Sequence, residues 1–178
     1  MSASLEFNGR ADRVRSRVSK MTGYNTDFFT WTQEQTALLR AGQFDALDIA
    51  NLADEVESMG KSQIRELTNR LAVLIGHLLK WQFQMERTQA NERSWRLTIE
   101  EQRDRLRDHV EDNPGLKSPA ILETALARSW RDGRRLAIRE TGLDDEVFPT
   151  RRLYTLDELL DPDYWPQPDL KPSTDRIA

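Results

Sequence analysis

The 178-residue sequence contains no cysteine and only two histidines, His77 and His109. Without cysteine there are no disulfides, thiolate nucleophiles or Cys-ligated zinc sites, and the expected compartment is a reducing cytoplasm. Proline is missing from the first 113 residues and then falls at positions 114, 119, 149, 162, 166, 168 and 172. Helices are therefore free to run early, and the end of the chain is not expected to be regular. The eight glycines stand singly, with neither Gly-x-Gly-x2-Gly nor a phosphate-cradling loop, and no Gly-x-Ser-x-Gly turn is present. Nucleotide enzymes of those types and serine hydrolases are left without support. The longest nearly apolar run, Leu71 to Leu79, is interrupted by His77 and is far short of the roughly 20 residues a bilayer span needs. No membrane is expected. The first 20 residues lack the apolar core of a secretory signal, because Arg10, Asp12, Arg13, Arg15 and Arg17 break every candidate stretch. A net charge of −4 with a pI near 5.3 argues against general affinity for nucleic acid or anionic lipid.

What the chain does have is helical periodicity. With 38% hydrophobic and 31% charged residues it has the composition of a globular protein. At this length roughly 70% of the unfolded surface can be buried. The segment to Lys20 carries five cations against Glu6 and Asp12, which predicts a basic, flexible N-terminal arm over residues 1–23. From Thr26 or Asp27, Phe28, Trp31, Gln35, Leu38 and Leu39 recur at helical spacing as far as Gly42. Asp45 or Asp48 starts a second helix that places Leu47, Ile49, Leu52, Ala53, Val56 and Met59 inward and ends or kinks at Gly60. Ile64, Leu67, Leu71, Leu74, Leu78, Trp81 and Met85 follow in steps of three and four, the seam of a long central helix, with Ala72, Ile75 and Leu79 as a second stripe. Ser94 precedes a helix with Trp95, Ile99, Gln102, Leu106 and Val110 inside. Ser118-Pro119 opens another, with Leu122, Ala125, Leu126, Ser129, Gly133 and Leu136 inside, where the small residues permit close approach. Thr155 and Glu158 have capping-box spacing for a short last helix. Tyr164, Trp165 and Pro166 form an apolar clip expected to dock on the bundle or on a second subunit. The fold class is all-α: a compact bundle of about five to six helices in one domain over 24–166, followed by a Pro-rich tail over 167–178.

Candidate chemistry is sparse. His77 facing Asp54, Glu55 or Glu57 would make a mixed carboxylate-imidazole metal site (Asp54, Glu55, His77) or an acid-base pair (His77 with Glu55 and Glu57). The plainer reading is a structural histidine bonded to a carboxylate or backbone carbonyl. His109 lies near a helix end, where capping accounts for it. Glu100, Asp104 and Asp108 line one face beside Arg96, Arg103 and Arg107, the pattern of a solvated surface. Nucleic-acid binding through Arg93, Arg96, Arg103, Arg107 and the basic arm is the third possibility, opposed by six acidic residues matching six basic ones between 86 and 108. Arg93 is also a candidate for a buried ion pair with Glu55 or Glu57.

Several motifs, in order, resemble a known family: Tyr24-x2-Asp27-Phe28-x2-Trp31, Asn51 through Gly60, His77-Leu78-Leu79-Lys80-Trp81, Ser94-Trp95-x2-Thr98-Ile99, Glu140-Thr141-Gly142 and Tyr164-Trp165-Pro166. They are similar to the bacterial domain of unknown function 29 family over roughly residues 24–166. The resemblance implies a compact all-helical protein of the kind found in cyanobacteria and proteobacteria, with no established activity, substrate or catalytic residues. Ala50, where relatives commonly carry an acidic residue, and Arg151-Arg152-Leu153, in place of a Cys-Pro-containing approach to the last helix, depart from the pattern. Apolar periodicity is abundant and convergent catalytic groups are not, so the expected function is a non-enzymatic interaction module, homo-oligomeric or bound to a protein partner, without cofactor.

Overall fold

A computed structural model describes residues 23–86 and 88–168. The N-terminal arm to residue 22 and the tail from residue 169 lie outside the described residues. Among those described there are no strands and five α-helices: α1 Phe28–Arg40, α2 Ile49–Phe83, α3 Gln89–Asp112, α4 Pro119–Thr141 and α5 Leu156–Leu160. The expected all-α class, with one long helix, is what forms. Backbone packing divides the chain into two units, one ending at Glu57 and one beginning at Ser58, so the division falls inside α2.

In the first unit, Asp27 caps α1 by accepting from the Thr30 amide at 3.0 Å. Gly42, at φ 67°, provides the left-handed residue after the helix. Asp48 caps α2: its Oδ1 accepts from the Asn51 amide at 3.3 Å and its Oδ2 from the Asn51 side chain at 2.6 Å.

The two helices expected on either side of Gly60 are one continuous α2 of 35 residues. Glycine inside a helix costs about 1 kcal/mol relative to alanine, a penalty too small to break a rod whose later turns are fixed by packing. A second expectation, that the residues before Gly60 face inward, is overturned as well. Ile49 and Val56 stand 18 residues, five full turns, before Leu67 and Leu74 and so continue the line of the later seam. Yet Ile49, Val56 and Met59 are 61%, 67% and 67% exposed. Ala53 is exposed as well, while Leu47 and Leu52 are half-buried.

The second unit is built around the later turns of α2. Leu67, Leu71, Leu74 and Leu78 are fully buried, as are Ile75 and Leu79 of the second stripe. Met85, expected to continue the seam, lies past the end of the helix and is exposed. Gly76 and Gly133 let α2 and α4 cross closely. A Cβ on Gly133 would stand 2.7 Å from the Ala72 carbonyl oxygen, and one on Gly76 would stand 2.7 Å from a Leu136 methyl. Between the same helices the Ser129 hydroxyl donates to the Thr68 carbonyl at 2.9 Å. Helix α3 starts five residues before the expected Ser94, because Thr88 supplies an N-cap to the Asn91 amide at 3.2 Å. Gly142, at φ 68°, ends α4, and α5 carries the expected Thr155–Glu158 capping box.

Candidate functional site

Among the described residues of the second unit two cations, Arg103 and Lys80, are buried. Arg103 is 1% exposed and donates from Nε to the Leu159 carbonyl at 3.0 Å, from Nη1 to Pro162 at 3.2 Å and from Nη2 to Tyr164 at 2.6 Å. Its guanidinium also lies 5.4 Å from the centre of the Trp165 ring, while Trp165 packs on Trp81 at 4.8 Å and under Arg96 at 4.8 Å. Burial lowers the Arg103 pKa, partly countered by the negative charge of Asp161 and Glu100, and the three carbonyls take the place of a carboxylate partner. The Tyr164-Trp165-Pro166 clip thus docks on its own helices. Upstream, Trp130 Nε1 donates to the Thr150 carbonyl at 3.0 Å and Arg134 Nε to Phe148 at 2.8 Å. Arg103 was expected on a surface strip. Gln102 was expected on the inner face between Ile99 and Leu106 and is half-buried, whereas Arg103, at i+4 from Ile99, is the residue of that turn that is buried.

Lys80 is the second buried cation, 4% exposed, with Nζ donating to Glu140 Oε2 at 2.7 Å and lying 5.2 Å from the centre of the Trp95 ring. Burial pushes the Glu140 carboxyl up, but the hydrogen bond and charge of Lys80 outweigh it and hold the pKa below its ordinary value. Three of the motif segments quoted above, around Lys80, Trp95 and Glu140, meet in this contact. His77, one turn before Lys80, pairs Nδ1 with its own helix's Val73 carbonyl at 2.9 Å. Its pKa is lowered, first by burial and also by the Lys80 charge, against opposing contributions from the Val73 carbonyl and Glu140. His109 bonds through Nε2 to the Gln63 carbonyl at 3.0 Å and so ties α3 to α2.

The other arginines of α3 singled out above, Arg93, Arg96 and Arg107, are exposed. Arg93 is exposed, which corrects the expectation that it supplies a buried ion pair. Arg107 pairs with Asp104, and Arg105 with Glu101 at 2.6 Å, so basic and acidic residues of the α3 surface meet each other. Among the described residues no group of three or more His, Asp and Glu side chains gathers into a metal-holding cluster. No helix there is long and apolar enough to cross a membrane.

The first unit has a different character. Tyr24 packs edge-on against Phe28 and Trp31, with ring centres 5.6 and 4.9 Å away, and donates its hydroxyl to Glu55. That bond to a carboxylate raises the Tyr24 pKa. Trp31 is buried and donates Nε1 to Asp48 Oδ2 at 3.2 Å. Asp48 is thus both a helix cap and an indole acceptor, and its pKa is lowered chiefly by the hydrogen bond from the Asn51 side chain. Around this network Phe28, Phe29, Phe44, Ile49 and Val56 are half or more exposed. Asp54 and Glu57 are exposed, and Glu55 is half-buried. Residues 23–57 hold seven carboxylates against one cation, Arg40. The Ile49–Val56 stretch thus puts an apolar helix face, flanked by acids, in solvent.

The model of the family described as domain of unknown function DUF29 matches residues 23–165. The chain belongs to the DUF29 family. No curated protein and no solved structure matches it. Both the aromatic-acid network of the first unit and the Lys80–Glu140 contact of the second fall inside the DUF29 match.

Proposed function

We propose that the protein is a helical interaction module that binds a polypeptide partner through the apolar, acid-flanked face of its first unit. The observation that carries this reading is the position of α2's own amphipathic face. Ile49, Leu52, Ala53 and Val56 sit at i, i+3, i+4 and i+7, the pattern by which helices bury themselves, yet Ile49, Ala53 and Val56 are exposed. Among the described residues, seven of the nine large apolar side chains left exposed fall between Phe28 and Met59. Apolar surface concentrated in this way marks contact sites, whereas scattered exposed residues need no explanation. The polar groups named for an acid-base site have structural partners, His77 on Val73 and Glu55 on Tyr24. This favours a binding role over a catalytic one, and the lack of cysteine suits a cytoplasmic setting.

Placing a photoreactive benzoylphenylalanine at Phe29 or Val56 of the full chain tests the reading. Irradiation is expected to give polypeptide adducts at both positions and few at exposed Arg105 of α3. Adducts no more frequent at 29 and 56 than at 105, together with a monomeric mass by light scattering at tens of micromolar, would overturn it.

A further inference from the structure

We propose that the occupant of this face is the chain's own basic segment, residues 10–21, folded back onto the first unit of the same molecule. The inference rests on the docking reading above and names what docks. Charge is the first argument. Residues 10–21 contain Arg10, Arg13, Arg15, Arg17 and Lys20 against a single Asp12, while residues 23–57 contain Asp27, Glu34, Asp45, Asp48, Asp54, Glu55 and Glu57 against a single Arg40. Opposite potentials of this size attract, and two copies of the acidic face repel each other, which disfavours a second copy docked face to face.

Pattern is the second argument. Val14, Val18 and Met21 stand at i, i+4 and i+7, one side of a helix, with the arginines around them. The exposed stripe of α2 from Ile49 to Val56 spans the same seven-residue interval, two helical turns or roughly 10 Å. An apolar strip with basic flanks is the complement of an apolar strip with acidic flanks.

Connectivity is the third argument. Met21 is three residues from Tyr24, whose hydroxyl is held by Glu55, the neighbour of Val56 in the chain. The segment therefore leaves the described structure beside the face it is proposed to cover. A tether this short gives an effective concentration in the millimolar range, so even a weak contact is populated within one molecule before a second molecule competes. An outside partner for this face would need the same basic, amphipathic chemistry to displace the segment.

The test uses the full chain with benzoylphenylalanine at Val56, irradiated at about 1 µM, below the effective concentration of the tether, and mapped by peptide mass spectrometry. The expected result is a monomeric product in which position 56 is joined to residues 10–21. Its yield is expected to fall roughly five-fold or more when sodium chloride is raised from about 0.05 to 0.5 M. A comparable fall is expected with Arg13→Glu, Arg15→Glu and Arg17→Glu together, at unchanged far-ultraviolet circular dichroism. Adducts to another polypeptide, to a second copy, or to residues outside 10–21 would overturn the inference and leave the docking reading intact. So would a yield indifferent to salt and to charge reversal. No adduct above the Arg105 control would remove both.

Discussion

The two ends of α2 carry the same kind of apolar repeat and meet opposite fates. Ile49, Ala53 and Val56 are exposed, while Leu67, Leu71, Leu74 and Leu78 are fully buried. Helical periodicity establishes which side of a helix is apolar, and only a neighbouring element decides whether that side is covered. In the second unit the covering is dense. Two glycines bring α2 and α4 into close contact, and the segment after α4 is held through its backbone carbonyls by Arg103, Trp130 and Arg134. In the first unit Tyr24, Trp31 and Asp48 have polar partners, but the apolar side chains around them are left exposed by the helices. Stability should therefore be concentrated in the second unit, and recognition in the first.

The largest expected effect tests whether the carbonyl-bound guanidinium is a keystone of the second unit. Arg103→Ala leaves three backbone acceptors without their donor and a void beneath Trp165. It is expected to cost about 3–5 kcal/mol, or roughly 10 °C in melting temperature. Arg103→Lys, with charge but no planar fork, should recover less than half of that loss. A melting temperature within 2 °C of the parent for the alanine variant would show the C-terminal segment to be held by other means. Next comes a pair of glycine substitutions in one helix pair. Gly133→Ala drives a methyl to 2.7 Å from a backbone oxygen that cannot rotate away, at about 2–3 kcal/mol. Gly60→Ala meets nothing within 4 Å and should stabilise by about 0.5–1 kcal/mol through helix propensity. Equal effects from the two, measured by urea denaturation, would mean that the close crossing does not constrain the fold.

The helix class, the seam of α2, the small-residue face of α4 and the caps at Asp27 and Thr155 were legible in the sequence, since each depends on spacing or on a local hydrogen bond. Three features were not, for different reasons. Gly60 reads as a stop, yet a glycine with helical backbone angles merely weakens a helix, and α2 runs through it. Arg103 reads as one cation among many, because its three acceptors come from a segment 56 to 61 residues later. Lys80 and Glu140 are 60 positions apart, beyond any local pattern. Their motifs could be listed as a resemblance, but only the fold shows that they touch.

Acidity should separate the units further. His77 has a folded pKa below the ordinary value of 6.5, so the unfolded chain binds its proton first and stability falls as protons are added. The contribution is complete above about pH 6.5 and is lost as pH drops towards the folded value. The Glu140 carboxyl, also depressed, extends the loss below pH 4.5. Between pH 7 and 5 the melting temperature of the parent should fall more steeply than that of His77→Gln. Parallel curves would remove the imidazole from the second unit's pH dependence.

The smallest expected effect on stability is at the opposite end of α2. Val56 is 67% exposed, and replacing it by glutamate removes no buried contact and creates no cavity. A surface change of this kind shifts folding free energy by no more than about 0.5 kcal/mol, so Val56→Glu should melt within a degree or two of the parent. The same substitution places a carboxylate in the middle of the apolar stripe, where any docked segment would have to leave it desolvated and unpaired. Its effect on association should therefore far exceed its effect on folding. A fall in melting temperature of more than 5 °C would show that Val56 packs into the helical core and does not form part of a docking face. The contrast between a packed unit and a receptive one would then have to be abandoned.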